Sequence, residues 1–154
     1  MGFIAKSESK KNLELHLGSF WPSIDIQDFK QKARVPTFVD DEAAFHFLQR
    51  AALVFFNDVG LYALNQREQG YNTLAEVPSE MIGEQTKQEI LFEAAIFAYT
   101  KKLIVDHYQD IDLTRRAGED KLKEVDNSAS AWSAEYLKNV RMFLNEPTSF
   151  VGLT

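Results

Sequence analysis

Cysteine is absent from this chain of 154 residues, which removes disulfides, thiol nucleophiles and cysteine metal sites at once. No run approaches the roughly 18 uncharged apolar residues of a membrane span, so no spanning segment is expected. The opening stretch "MGFIAKSESKK" places its apolar residues before its charges and has no long apolar centre, so it does not read as a secretory signal. Gly2 with Ser7 makes only a weak match to a myristoylation site. Basic residues are outnumbered, 17 Lys and Arg against 23 Asp and Glu. The net charge is −6, and no segment carries the basic stripe that a phosphate-gripping surface needs. No segment alternates with period two and no internal repeat is visible, which argues against strands.

What is present is globular material. A 45 % hydrophobic share against 26 % charged excludes wholesale disorder, and the length suffices for one core. Residues 1–18, with the unpatterned "KSESKK", read as a flexible N-terminal arm. In "FWPSIDIQDFKQKARVP", Asp25 caps a short helix and Asp28 follows at the position where a carboxylate reaches back. Ile24 and Phe29 occupy the two positions of a hydrophobic staple, and Pro36 disfavours helix at Val35.

A long helix is expected from Asp40 to Gln69. Asp40, Asp41 and Glu42 crowd its first turn, where the macrodipole favours anions. Phe45, Leu48, Ala52, Phe55, Val59 and Tyr62 recur in steps of three and four. Its middle, "AALVFF", is apolar on every face and predicts burial all round, under the bundle or a second subunit. Gly70 suits the position just past the helix. "GYNTLAEVPSEMIGE" reads as an ordered loop packed on the bundle. A second long helix, Glu84 to Asp110, carries Ile90, Ala94, Phe97, Ile104 and Tyr108, flanked by Leu91, Ala98 and Val105. After a break at Gly118 a third carries Leu122, Val125, Ala129, Trp132, Tyr136, Val140 and Phe143, and Pro147 ends it. The expected fold is all-α: a bundle of three long helices and one short N-terminal helix over residues 19–146. Residues 147–154 follow as an extended C-terminal arm bearing Phe150, Val151 and Leu153.

The search for chemistry returns little. GxSxG, HExxH, Walker and GxGxxG motifs are all missing, and neither Glu89 nor Glu93 has the His three residues on that a di-iron bundle requires. "DHYQDID" is the best metal candidate, because Asp106 and Asp110 share a helix face, with His107 and Asp112 nearby. Its spacing does not fit a calcium loop, and a solvated helix end explains it better. His16 and His46 read as structural or exposed. Arg115 and Arg116 read as surface pairs with Glu119 and Asp120, worth under about 1 kcal/mol. Trp132 reads as core, whereas Trp21, beside Phe20 and Pro22, reads equally as core or as an interface anchor. No catalytic residue, metal site or cofactor is expected.

Two stretches carry a resemblance together. One is Phe20-Trp21-Pro22-Ser23-Ile24-Asp25, opening the short helix. The other is Gly70-Tyr71-Asn72-Thr73-Leu74-Ala75-Glu76-Val77-Pro78, followed by Ile82, Gly83 and Glu84. In that order, with an apolar-ended tail, the chain from Phe20 to Thr154 resembles the head completion protein (gpL) family of contractile-tailed phages. The resemblance implies a virion protein, made in the host bacterial cytoplasm, that acts at the head–tail junction after DNA packaging. It implies as partners the portal protein, tail terminator or neck proteins, and other copies of itself in a ring of about twelve. DNA would pass through without sequence-specific binding, which an acidic chain suits. No membrane partner, cofactor or catalytic residue is implied. Phe20, Trp21, Phe150, Val151 and Leu153 are the expected partner contacts, the tail docking on a neighbouring component. The alternative from another class is a cytoplasmic helical regulatory or binding subunit outside any virion. A small metal-dependent hydrolase using Asp106 and Asp110 is a third.

Overall fold

The computed structural model describes residues 13–115 and 119–146, with only the backbone described over 110–128. In chain order the elements are β1 (Glu14–Leu15), β2 (Ile24–Asp25), α1 (Ile26–Lys32), α2 (Asp41–Val59), α3 (Tyr62–Glu68), a 3₁₀ turn at Leu74–Glu76, β3 (Met81–Ile82), β4 (Gln85–Thr86), α4 (Lys87–Arg115) and α5 (Glu119–Phe143). The protein is mainly helical, as expected, but the arrangement differs from three long helices and one short one.

The expected Asp40–Gln69 helix is two helices. Gly60 adopts φ 60° and ψ −124°, a conformation that needs the missing Cβ, and α3 restarts beyond it. The isolated Gly is the available sequence signal. The loop after α3 holds a small antiparallel hairpin, Met81 opposite Thr86 and Ile82 opposite Gln85. A second antiparallel pair joins Glu14–Leu15 to Ile24–Asp25. Period two cannot show in strands of two residues, so the sequence pattern does not reveal them. The second pair also ties down residues 13–18, which the pattern assigns to the flexible arm. Leu15 is buried and the Leu13 carbonyl accepts from the Ile26 N–H at 3.0 Å.

Helix boundaries follow local chemistry. The Asp25 carboxylate accepts from the Asp28 N–H at 2.9 Å, and that of Asp40 accepts from the Ala43 N–H at 2.8 Å. Asp28 itself pairs with Lys32 at 3.1 Å, and Ile24 and Phe29 are both buried. α4 starts later than expected, behind a capping box. The Thr86 N–H donates to Glu89 Oε1 at 2.9 Å, and the Glu89 N–H to Thr86 Oγ1 at 3.1 Å.

α3 and α5 end on the same motif. Beyond α3, Gly70 takes φ 99°, with Tyr71 N–H donating to the Gln66 carbonyl and Gly70 N–H to that of Arg67. Beyond α5, Asn145 takes φ 60°, with Glu146 N–H donating to Arg141 and Asn145 N–H to Met142. So α5 closes on Asn145, before Pro147, which lies outside the described residues.

α4 is the central helix, packed against both α2 and α5. Its buried set is Leu91, Phe92, Ala95, Ile96, Ala98 and Ile104. That is broader than the expected stripe, in which Ile90, Ala94, Phe97 and Tyr108 are only partly buried. A helix with two neighbours buries two faces, so one stripe cannot describe it. α2 buries Ala51, Ala52 and Phe55, yet Leu53 in the same apolar run is 69 % exposed. Burial of "AALVFF" is therefore not all round.

Candidate interaction site

The two stretches that carry the resemblance meet in space. The Leu74 N–H donates to the Phe20 carbonyl at 2.9 Å, joining the segment before β2 to the 3₁₀ turn. Arg67 covers the outer side: its guanidinium lies 5.8 Å from the Phe20 ring centroid and donates to Ser19 Oγ at 3.2 Å. Trp21 then enters the bundle. Its ring stacks on Phe92 at 5.3 Å and on Tyr62 at 6.0 Å, and meets Phe55 edge-on at 5.5 Å. Phe143 of α5 closes the cluster against Tyr62 at 4.6 Å. One aromatic side chain thus bridges α2, α3, α4 and α5.

Polar groups fix the same region. Gln88 Nε2 donates both to the Tyr62 hydroxyl, at 2.8 Å, and to the Phe143 carbonyl at the end of α5, at 3.1 Å. Burial pushes the Tyr62 hydroxyl above the usual tyrosine range, against the opposing pull of the Gln88 hydrogen bond. Farther along, the Tyr136 hydroxyl donates to Asp58 at 2.6 Å, joining α5 to α2, and burial followed by the Asp58 carboxylate raises its pKa. Lys101 reaches across from α4 to cap α1, donating to the Ala33 carbonyl at 2.7 Å while lying 5.2 Å from the Trp132 ring centroid. Burial lowers the Lys101 pKa. Each of these groups has a structural partner, and together they tie the helices to one another.

Among the expected partner contacts, Phe20 is 2 % exposed and belongs to the core. Trp21 is partly buried, with an edge left at the surface. Phe150, Val151 and Leu153 lie outside the described residues. Of the metal candidate, the described part is engaged elsewhere: Asp106 pairs with Lys102 at 3.0 Å, and His107 packs edge-on to Phe47 and Tyr108. The side chains of Asp110, Asp112 and Arg115 are outside the described set, as is Arg116. Among the described residues no group of three His, Cys, Asp or Glu side chains is placed to hold a metal ion. His16 contacts Ser23 Oγ at 3.1 Å, and His46 contacts Gln49 at 3.2 Å. No described helix is long and apolar enough to cross a membrane.

Sequence reasoning missed the exposed apolar surface. Met81 and Ile82, on the β3–β4 hairpin, are 63 % and 54 % exposed. An apolar groove of about 370 Å³ runs between the β1 segment and α2, with Leu53 on its wall. The signal for the first was two adjacent apolar residues before Gly83-Glu84, a turn dipeptide.

The protein is small and helical, joins its elements through an aromatic latch and leaves apolar features at its surface. The comparison with known families places it. The profile of the phage head completion protein (GPL) family matches residues 15–153, and the chain belongs to that family. It is a structural phage head protein, found in the virion and acting through contacts with other virion proteins, and the family is not a known enzyme family. No curated protein and no solved structure matches the chain.

Proposed function

We propose that this protein completes the head at the portal vertex after DNA packaging, helps to retain the packaged DNA and forms the surface to which a separately built tail attaches. Family membership over residues 15–153 carries the reading. Its partners are the portal, the tail terminator or neck proteins, and other copies of itself in a ring. The acid excess supports free passage of DNA, since a surface without a basic stripe does not hold phosphates. Residues 147–154 are the docking arm, with Phe150, Val151 and Leu153 as anchors beside the exposed edge of Trp21. Burying three such side chains contributes roughly 1.5–3 kcal/mol each. Ordering the segment costs on the order of 1–2 kcal/mol per residue, so each arm alone binds weakly. Repetition around a ring raises the effective concentration of every arm.

The test is deletion of residues 147–154. The cap on Asn145 closes α5 before the cut, so the truncated chain is expected to keep its thermal midpoint while joined particles fall in a complementation assay counted by electron microscopy. Normal joining overturns the arm's role. A large drop in midpoint means that the tail packs on its own domain, for which the cleft of about 360 Å³ between Val77–Glu80 and Met142–Asn145, beside the end of α5, offers a seat. A stable dimer that ignores the portal in sedimentation overturns the portal reading in favour of a regulatory subunit.

A further inference from the structure

We propose that the β3–β4 hairpin of one copy seats Met81 and Ile82 in the groove between the β1 segment and α2 of a second copy. The proposal rests on the reading of the protein as a component that works in multiple copies. The groove has a floor of buried Leu15 and Ala52 and walls of Leu17, Leu53 and Phe56. Leu53 is the most exposed large apolar side chain among the described residues, at 69 %. The hairpin supplies another exposed apolar surface, with Met81 at 63 % and Ile82 at 54 %. Gly83 takes φ 71° and Glu84 does not take a positive φ, the pattern of a tight type II′ turn, so Met81 and Ile82 project from opposite faces of a narrow, preorganised finger, one for each wall of the groove. The Glu80 carbonyl accepts from the Lys87 N–H at 2.8 Å, which fixes the finger to the start of α4.

Charge selects the occupant. Glu80 and Glu84 flank the apolar pair, are exposed, and form no ion pair among the described residues. Arg50 lies on the groove rim, exposed and likewise without an ion pair among the described residues. An acidic-flanked apolar finger and an apolar groove with an arginine on its rim are complementary, and both belong to this chain. They lie on different elements, the hairpin before α4 and the groove on β1 and α2, so each copy both gives and receives. Such a head-to-tail contact propagates, and closes into a ring where the rotation allows. So short a finger buries far less than the roughly 1,200–2,000 Å² of stable interfaces, so the free chain stays largely dissociated and the contact accumulates only when copies are held together.

The absence of cysteine makes the test clean. Leu53→Cys and Ile82→Cys, made in separate full-length chains, sit at exposed positions that the fold tolerates. The two chains are mixed at high concentration under mild oxidation. The mixed disulfide, one chain of each kind, is expected to form about tenfold faster than either homodimer, because a seated pair reacts at high effective concentration. The chain carrying both changes gives a ladder of linked oligomers. Glu80→Arg with Glu84→Arg removes that advantage, and Arg50→Glu in the receiving chain restores it. Equal rates for all three products, faster homodimers of the Ile82→Cys chain, or indifference to the charge reversal each overturn the contact. These readouts need no virion, so their failure leaves the portal-vertex role to stand or fall on the joining assay.

Discussion

The Trp21 cluster and the Met81–Ile82 hairpin belong to the same stretch of architecture, yet they use apolar side chains in opposite ways. Phe20 and Trp21 fold inward against the residue 70–78 connection, whose Leu74 N–H holds the Phe20 carbonyl. A few residues on, Met81 and Ile82 face solvent on a finger with a defined turn. Composition does not separate them. Partners do: four helices converge on Trp21, whereas nothing within the described chain covers the hairpin. The Phe20–Trp21 and 70–78 segments thus build the scaffold, and the exposed hairpin follows directly after them in the chain.

The largest expected effect breaks the inward half. Phe20→Ala should cost about 3–5 kcal/mol, because a fully buried ring leaves both a cavity and an unsupported loop. Urea unfolding should show it as a lower midpoint. Gly60→Ala comes next, at about 1–3 kcal/mol, since the added Cβ meets no atom but forces a side chain into a conformation reserved for glycine. A cost near zero would show that α2 and α3 can run as one helix, as the sequence pattern suggests. Thr86→Ala should cost about 1 kcal/mol by removing half of the capping box that separates the hairpin from α4. The smallest effect sharpens the comparison most. Met81→Ser with Ile82→Ser should leave the stability within about 0.5 kcal/mol of the parent, as surface changes do, while lowering particle joining. A large loss of stability there would place the hairpin with the core.

Much of the fold was legible in the chain, and the reasons are local. Asp25, Asp40 and Gly70 mark helix ends through hydrogen bonds to neighbours a few residues away, so sequence alone exposes them. The buried stripe of α2 follows from its period of three and four. The break at Gly60 was less legible, because apolar periodicity continues through it to Tyr62. That residue is drawn to Phe143 and Gln88, which lie far along the chain. Nor could Phe20 be sorted from Trp21 by their neighbours in sequence, since long-range partners decide that one is core and the other keeps an exposed edge.

The sequence by itself determined the helical class, the helix caps, the lack of thiol chemistry and the family, because each rests on residue type or on spacing within a turn or two. The tertiary structure decided the rest. It broke the long helix, set α4 between two neighbours, paired two-residue strands too short for any pattern, and chose which apolar residues stay outside. Those outcomes depend on contacts between segments tens of residues apart, where burial is settled only once every competing surface has found its place.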